Sequence, residues 1–135
     1  MLTFRALPEQ QLYVVIGTGQ ASIDVCLKLF THIQRHAPES RSYRSLVDMR
    51  GFTTLMNYQQ SERVLEAMSR YELKVERKSA ILVAGPAQYG TGRMFEQMGR
   101  GHVAVAMRVV ENLAEAAAWL EIEESVLAGA MDPNL

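Results

Sequence analysis

The chain has 135 residues, a length that fits one domain, and its 48% hydrophobic and 21% charged content is that of an ordinary globular protein. Fourteen lysines and arginines against fifteen aspartates and glutamates give a net charge of −1, without the basic excess that nucleic-acid binding usually requires. One cysteine excludes an internal disulfide framework and a multi-cysteine zinc site. No apolar run approaches the roughly 18 residues of a membrane span, and the N-terminus lacks a secretory layout, so the expected compartment is the cytoplasm.

In chain order, Thr3 to Leu7 reads as an edge strand, because Pro8 cannot donate to a ladder. Leu12 to Ile16 is β-branched and aromatic and ends in Gly17-Thr18-Gly19, which predicts a strand. From Ala21 to Ala37, Ile23, Cys26, Leu27, Phe30 and Ile33 recur at helical spacing, and Pro38 stops the helix. Leu46 to Met49 is the next strand, closed by Arg50-Gly51. A second helix runs from about Asn57 to Leu73, capped by Asn57 with Gln60 three residues on. Ala80 to Ala84 is a continuous apolar run, the mark of a strand covered on both faces. Gln88 to Met98 predicts a short helix behind a Gly-Pro loop, and His102 to Met107 another strand. Asn112 caps the last helix, whose inner stripe is Leu113, Ala116, Ala117 and Leu120. An acidic stretch and a polar tail follow.

The order β-β-α-β-α-β-α-β-α predicts an α/β fold in which a mixed, mostly parallel sheet is built from successive β-α turns, as a single domain over residues 1–135. If each strand adds beside the last, the crossover helices share one face. The opposite face then needs a cover: side chains of the first strand, a ligand or a second subunit. Exposed apolar surface of this kind predicts a symmetric homodimer.

Most motifs reduce to structure. Gly17-Thr-Gly19-Gln-Ala-Ser22 stands where a dinucleotide fingerprint would, with Asp48 as its acid, but Ser22 replaces the third glycine and a tight turn explains it. Gly85 to Gly92 has P-loop glycine spacing without the lysine, leaving a connector or a weak anion cradle. His32 and His36 fall opposite the apolar stripe, where solvent is the expected neighbour, and Cys26 on the stripe reads as core; no metal or cofactor is expected. Trp119, at the edge of the last stripe, is expected to pack against the sheet or a neighbouring helix.

One constellation remains. Loops leaving the carboxyl ends of parallel strands share an edge where ligands usually bind. That edge gathers Thr18, then Asp48, Arg50, Thr53 and Thr54, then Gln88, Tyr89, Thr91 and Arg93, and finally Arg108. Arginines beside helix N-termini suit a small anion, with Asp48 orienting an arginine and Tyr89 covering the site. The competing account is an internal ion pair of Asp48 with an arginine such as Arg93, pinning the loops together.

At these loops the sequence resembles the STAS fold of sporulation anti-sigma-factor antagonists, and more closely an uncharacterised bacterial SpoIIAA-like branch. The resemblance rests on Val47-Asp48-Met49-Arg50-Gly51, Ala80 to Val83, Tyr89 to Glu96, and Glu115 to Leu120. It implies a non-enzymatic regulatory or interaction module with a protein partner, switched by phosphorylation of a serine after the Asp48 strand. That Asp-Ser-Ser-Gly motif is absent, and Thr53 and Thr54 are the nearby hydroxyls. Related folds hold lipids in an apolar pocket beside the sheet, so the alternative is a domain that binds a small anionic or lipid ligand, or a weak enzyme using Asp48, Arg50 and Arg93.

Overall fold

A computed structural model describes residues 1–71, 76–101 and 103–132. Among these, five strands, β1 (Leu2–Leu7), β2 (Leu12–Gln20), β3 (Arg44–Thr54), β4 (Arg77–Leu82) and β5 (Val105–Val110), form one mixed sheet in sequential order. β1 runs antiparallel to β2 at the edge, and the pairings from β2 through β5 are parallel. The helices are α1 (Ile23–His36), α2 (Tyr58–Tyr71), α3 (Gly85–Gly99), α4 (Leu113–Leu120) and α5 (Glu124–Ala130). None of the described helices is long and apolar enough to cross a membrane.

Local chemistry explains the helix starts. Ser22 Oγ accepts the Val25 amide and caps α1. At α2 the capping box closes in both directions, Gln60 N to Asn57 Oδ1 and Asn57 N to Gln60 Oε1, each 2.9 Å. Asn112 Oδ1 accepts the Glu115 amide at the start of α4.

Strand periodicity divides the side chains between two faces. Tyr13, Val15, Ser45, Val47, Met49, Ser79 and Ile81 look toward α1, α2 and α3. Leu12, Val14, Leu46, Ala80, Leu82 and Val110 look the other way, into a core completed by Ala116, Ala117, Leu120, Leu127 and Ala130. The face expected to await a ligand or second subunit is therefore covered by the chain's own α4 and α5. Of the apolar surface on which the expected homodimer rests, sheet face or helix edges, the sheet face is thus taken up by the chain itself. Two arginines fasten that cover: Arg44 donates to the Leu120 carbonyl at 2.7 Å, and Arg5 to the Ala130 carbonyl at 3.0 Å, each at a helix C-terminus where a cation is favoured. The sequence reading missed α5 because Glu124–Ala130 is short, and its Ala and Gly content carries little helical stripe.

Several boundaries move. β2 does not end at Gly17, because its ladder with β3 continues through Thr18–Gly51, Gly19–Phe52 and Gln20–Thr54. Glycine permits that close ribbon: a Cβ on Gly51 would stand 2.5 Å from the Gly17 carbonyl oxygen. α3 starts at Gly85, so the glycine-rich segment is a helix and not a phosphate-cradling loop; Gly92 lets it lie against β5, since a Cβ there would already be 3.1 Å from Val109. β4 begins at Arg77, and its pairing sets β5 at Val105–Val110, three residues later than the expected start at His102. His102 and the expected α2 end at Leu73 lie outside the described residues.

Candidate functional site

The carboxyl edge of the sheet holds most of the candidates read from the sequence, but their polar groups are largely engaged within the protein, Asp48 with Arg50 and the others with backbone groups or Glu96. Asp48 is 6% exposed and sits in the row of Ile16 and Leu82, on the α4/α5 side. Its Oδ1 accepts Arg50 N and Nε at 3.0 Å and its Oδ2 accepts an Arg50 terminal nitrogen at 3.1 Å. These bonds push the Arg50 guanidinium above its already high ordinary pKa. Asp48 therefore forms the internal pair with Arg50, two residues on, and not with Arg93. Arg93 donates to Glu96 at 2.6 Å, and the same buried carboxylate takes Arg100 at 3.5 Å and the Val109 amide at 3.0 Å, tying α3 to β5.

Thr53 Oγ1 donates to the Gly19 carbonyl, and Thr54 Oγ1 accepts the Ala21 amide, so both threonines fasten the β2–β3 ribbon. Gln88 accepts the Ala84 amide and reaches the Arg50 and Phe52 carbonyls at 3.4 Å, which brings the first turn of α3 against β3. Tyr89, next on that turn, is 41% exposed. Arg108 is not at this edge. It lies in mid-strand, paired with Ala80, its guanidinium carbon 4.5 Å from the centre of the Trp119 ring, which Lys78 also meets at 4.6 Å. Trp119 Nε1 donates to the Ser79 carbonyl, so the indole packs on the sheet as expected.

A different site lies under the helices. Between the sheet and α1, α2 and α3 there is a cavity of about 140 Å³. Val25, Leu29, Phe30, Val64, Met68 and Phe95 form much of its helical wall, and Val15, Val47, Met49, Ile81 and Met107 its apolar floor. Toward the amino ends of the strands the floor turns polar. Tyr13, Ser45 and Ser79 are direct cross-strand partners in one row, and Arg77 precedes Ser79 by two residues on the same face. Arg77, 7% exposed, donates to Ser45 Oγ at 3.0 Å and to the Tyr13 hydroxyl at 3.2 Å, and Ser45 and Ser79 hydroxyls are bonded at 2.8 Å. On α2, Ser61 also lines the space; its buried Oγ has no hydrogen-bond partner among the described residues.

Cys26 is on the same wall, and burial pushes its thiol from the ordinary 9.0 up to about 11, which suits a wall residue and not a nucleophile. His32 and His36 are exposed on the outer side of α1 with ring centres 4.7 Å apart, and no group of three potential metal ligands occurs among the described residues. No family model matches the sequence, and no curated protein is significantly similar to it.

Sequence reasoning passed over Tyr13, Ser45, Arg77 and Ser79. A signal was present: two serines each stand just ahead of a strand's apolar run, at the point where alternation begins. Starting the strands at Leu46 and Ala80 cut both of them off.

Proposed function

We propose that the protein is a non-enzymatic binding module that takes up a small, largely apolar molecule in the cavity between the sheet and α1–α3. One observation carries this reading: an apolar space of about 140 Å³ persists in a molecule whose other face is closely packed. Interiors pack to crystal-like density, and an apolar void of about 150 Å³ stays dry and accepts a guest the size of benzene. The described lining offers no aspartate, glutamate or histidine to act as a base, and its one thiol is held protonated, which favours binding over turnover. Calorimetric titration with 1-octanol, beside native mass spectrometry of the freshly purified protein, tests the reading. Saturable one-to-one binding is expected; no heat together with a bare protein mass contradicts it.

A second reading is the STAS-like interaction module implied by the resemblance. The sequential strand order supports it, as do exposed Thr53 and Thr54 at the tip of the β2–β3 ribbon, where a partner can reach them. Both hydroxyls already serve the ribbon, so modification there would loosen Gly19 and Ala21.

A further inference from the structure

The makeup of the cavity wall says what kind of guest fits it. Four of the chain's eight methionines, Met49, Met56, Met68 and Met107, and three of its four phenylalanines, Phe30, Phe52 and Phe95, line this one space. The buried members of the core on the opposite face of the sheet include neither type and are Leu, Val and Ala alone. Aliphatic walls attract any apolar guest in proportion to the area it buries. Thioethers and phenyl rings discriminate further. A methionine sulfur gains an extra attraction at the edge of an aromatic ring, and two rings gain one in offset or edge-to-face contact beyond the area they bury. A saturated guest collects neither.

Two of the rings are fixed from outside the cavity. Phe30 is stacked on Tyr71, with centres 5.1 Å apart and planes 19° from parallel. Phe52 lies over Gly17, where a Cβ would overlap the ring. Met107 is seated in the same way, its terminal methyl occupying the space that a Cβ on Gly99 would take. The wall thus combines rings held in place with unbranched thioethers whose torsions adjust to a flat guest. The volume of about 140 Å³ is close to that of an apolar void that takes benzene, which sets the guest at one six-membered ring with a small substituent.

We propose that the cavity binds a monocyclic aromatic molecule, its ring recognised by the phenyl and thioether groups of the wall. This rests on the reading of the cavity as a binding site and names its ligand class.

The test compares benzyl alcohol with cyclohexylmethanol by calorimetry, on the native chain and on the Met68→Leu/Met107→Leu double variant. The two alcohols share a carbon count and a hydroxyl and differ in the aromaticity of the ring. The saturated alcohol is the more hydrophobic, so area burial alone would favour it. Benzyl alcohol should instead bind the native chain about fivefold more tightly, through its added ring–sulfur and ring–ring contacts. Leucine keeps the volume of methionine and removes the sulfur. The double variant should therefore lose most of the preference while still binding cyclohexylmethanol, which also shows that it is folded. Should it not fold, Phe52→Leu is expected to reduce the preference in the same direction. Cyclohexylmethanol binding as tightly as benzyl alcohol to the native chain, or a preference unchanged in the folded variants, overturns the aromatic assignment and leaves the apolar site standing. If neither alcohol binds while 1-octanol does, the assignment falls alone; if none of the three binds, the site falls with it.

Discussion

The two faces of one sheet are packed in opposite ways. Toward α4 and α5, Leu12, Leu46, Ala80, Leu82 and Val110 meet Ala116, Ala117, Leu120 and Leu127 in one continuous core. Alanines on α4 let the helix approach the strands, and the charged groups on this face, Asp48 with Arg50 and Lys78 and Arg108 over Trp119, stand at the border of the cluster. Toward α1–α3 Val15, Ile33, Val64, Ile81, Val83 and Val109 are buried as well, but a cavity of about 140 Å³ lies on this side, with Met49, Phe95 and Met107 in its lining. There, serines and an arginine stand in the floor beneath the apolar side chains of α1 and α2. The contrast teaches a division of labour: one face supplies cohesion, and the other keeps room.

Adjacent residues on β4 give the sharpest way to break this comparison. Leu82, wholly buried in the α4 core, should cost about 4 kcal/mol when changed to alanine. Ile81, 3% exposed on the cavity side, should cost about 2 kcal/mol, because fewer packed neighbours are lost and the methionines can shift. Equal shifts in urea midpoint would erase the distinction. Trp119→Ala comes next, at about 3 kcal/mol, since the ring is partly buried against β4 and its N–H is bonded to Ser79. An unchanged midpoint would mean that the indole is not part of the α4 cover.

Much of the α4 face was legible in the sequence. The stripe Leu113, Ala116, Ala117, Leu120 and the Asn112 cap have a helical period that needs no tertiary information, and both stand as read. What was not legible was which face they cover, because placing α4 opposite the crossover helices requires knowing the sheet order. The carboxyl edge was legible as a cluster but not as pairs: that Asp48 folds onto Arg50, and Arg93 onto Glu96, depends on turn geometry and rotamers. The cavity was illegible for a different reason. An amphipathic helix has the same apolar stripe whether or not a space is left beneath it.

Overpacking sharpens the comparison further. Ala116→Leu, at a site with no exposure, should destabilise by about 2 kcal/mol. Ser61→Ala removes a hydroxyl that has no partner among the described residues, and should raise stability by about 1 kcal/mol. A loss on that change would show the hydroxyl to be satisfied. The smallest effect is one of pH. Because the folded Cys26 thiol ionises near 11 and not at the ordinary 9.0, its contribution is fully present below about 9 and is lost as pH rises through about 11. Stability should decline across that interval, and Cys26→Ala should flatten the decline; an identical pH profile in the variant would place the thiol in water.

The central claim, that one face is solid and the other encloses a binding space, is tested most directly by methyl NMR under xenon pressure. Xenon enters dry apolar voids and needs no specific head group. Methyl signals of Val15, Val47, Leu29 and Ile81 should shift and saturate with xenon, while those of Leu12, Leu46, Leu82 and Leu127 stay in place. Shifts of equal size on both faces, or on neither, would contradict it.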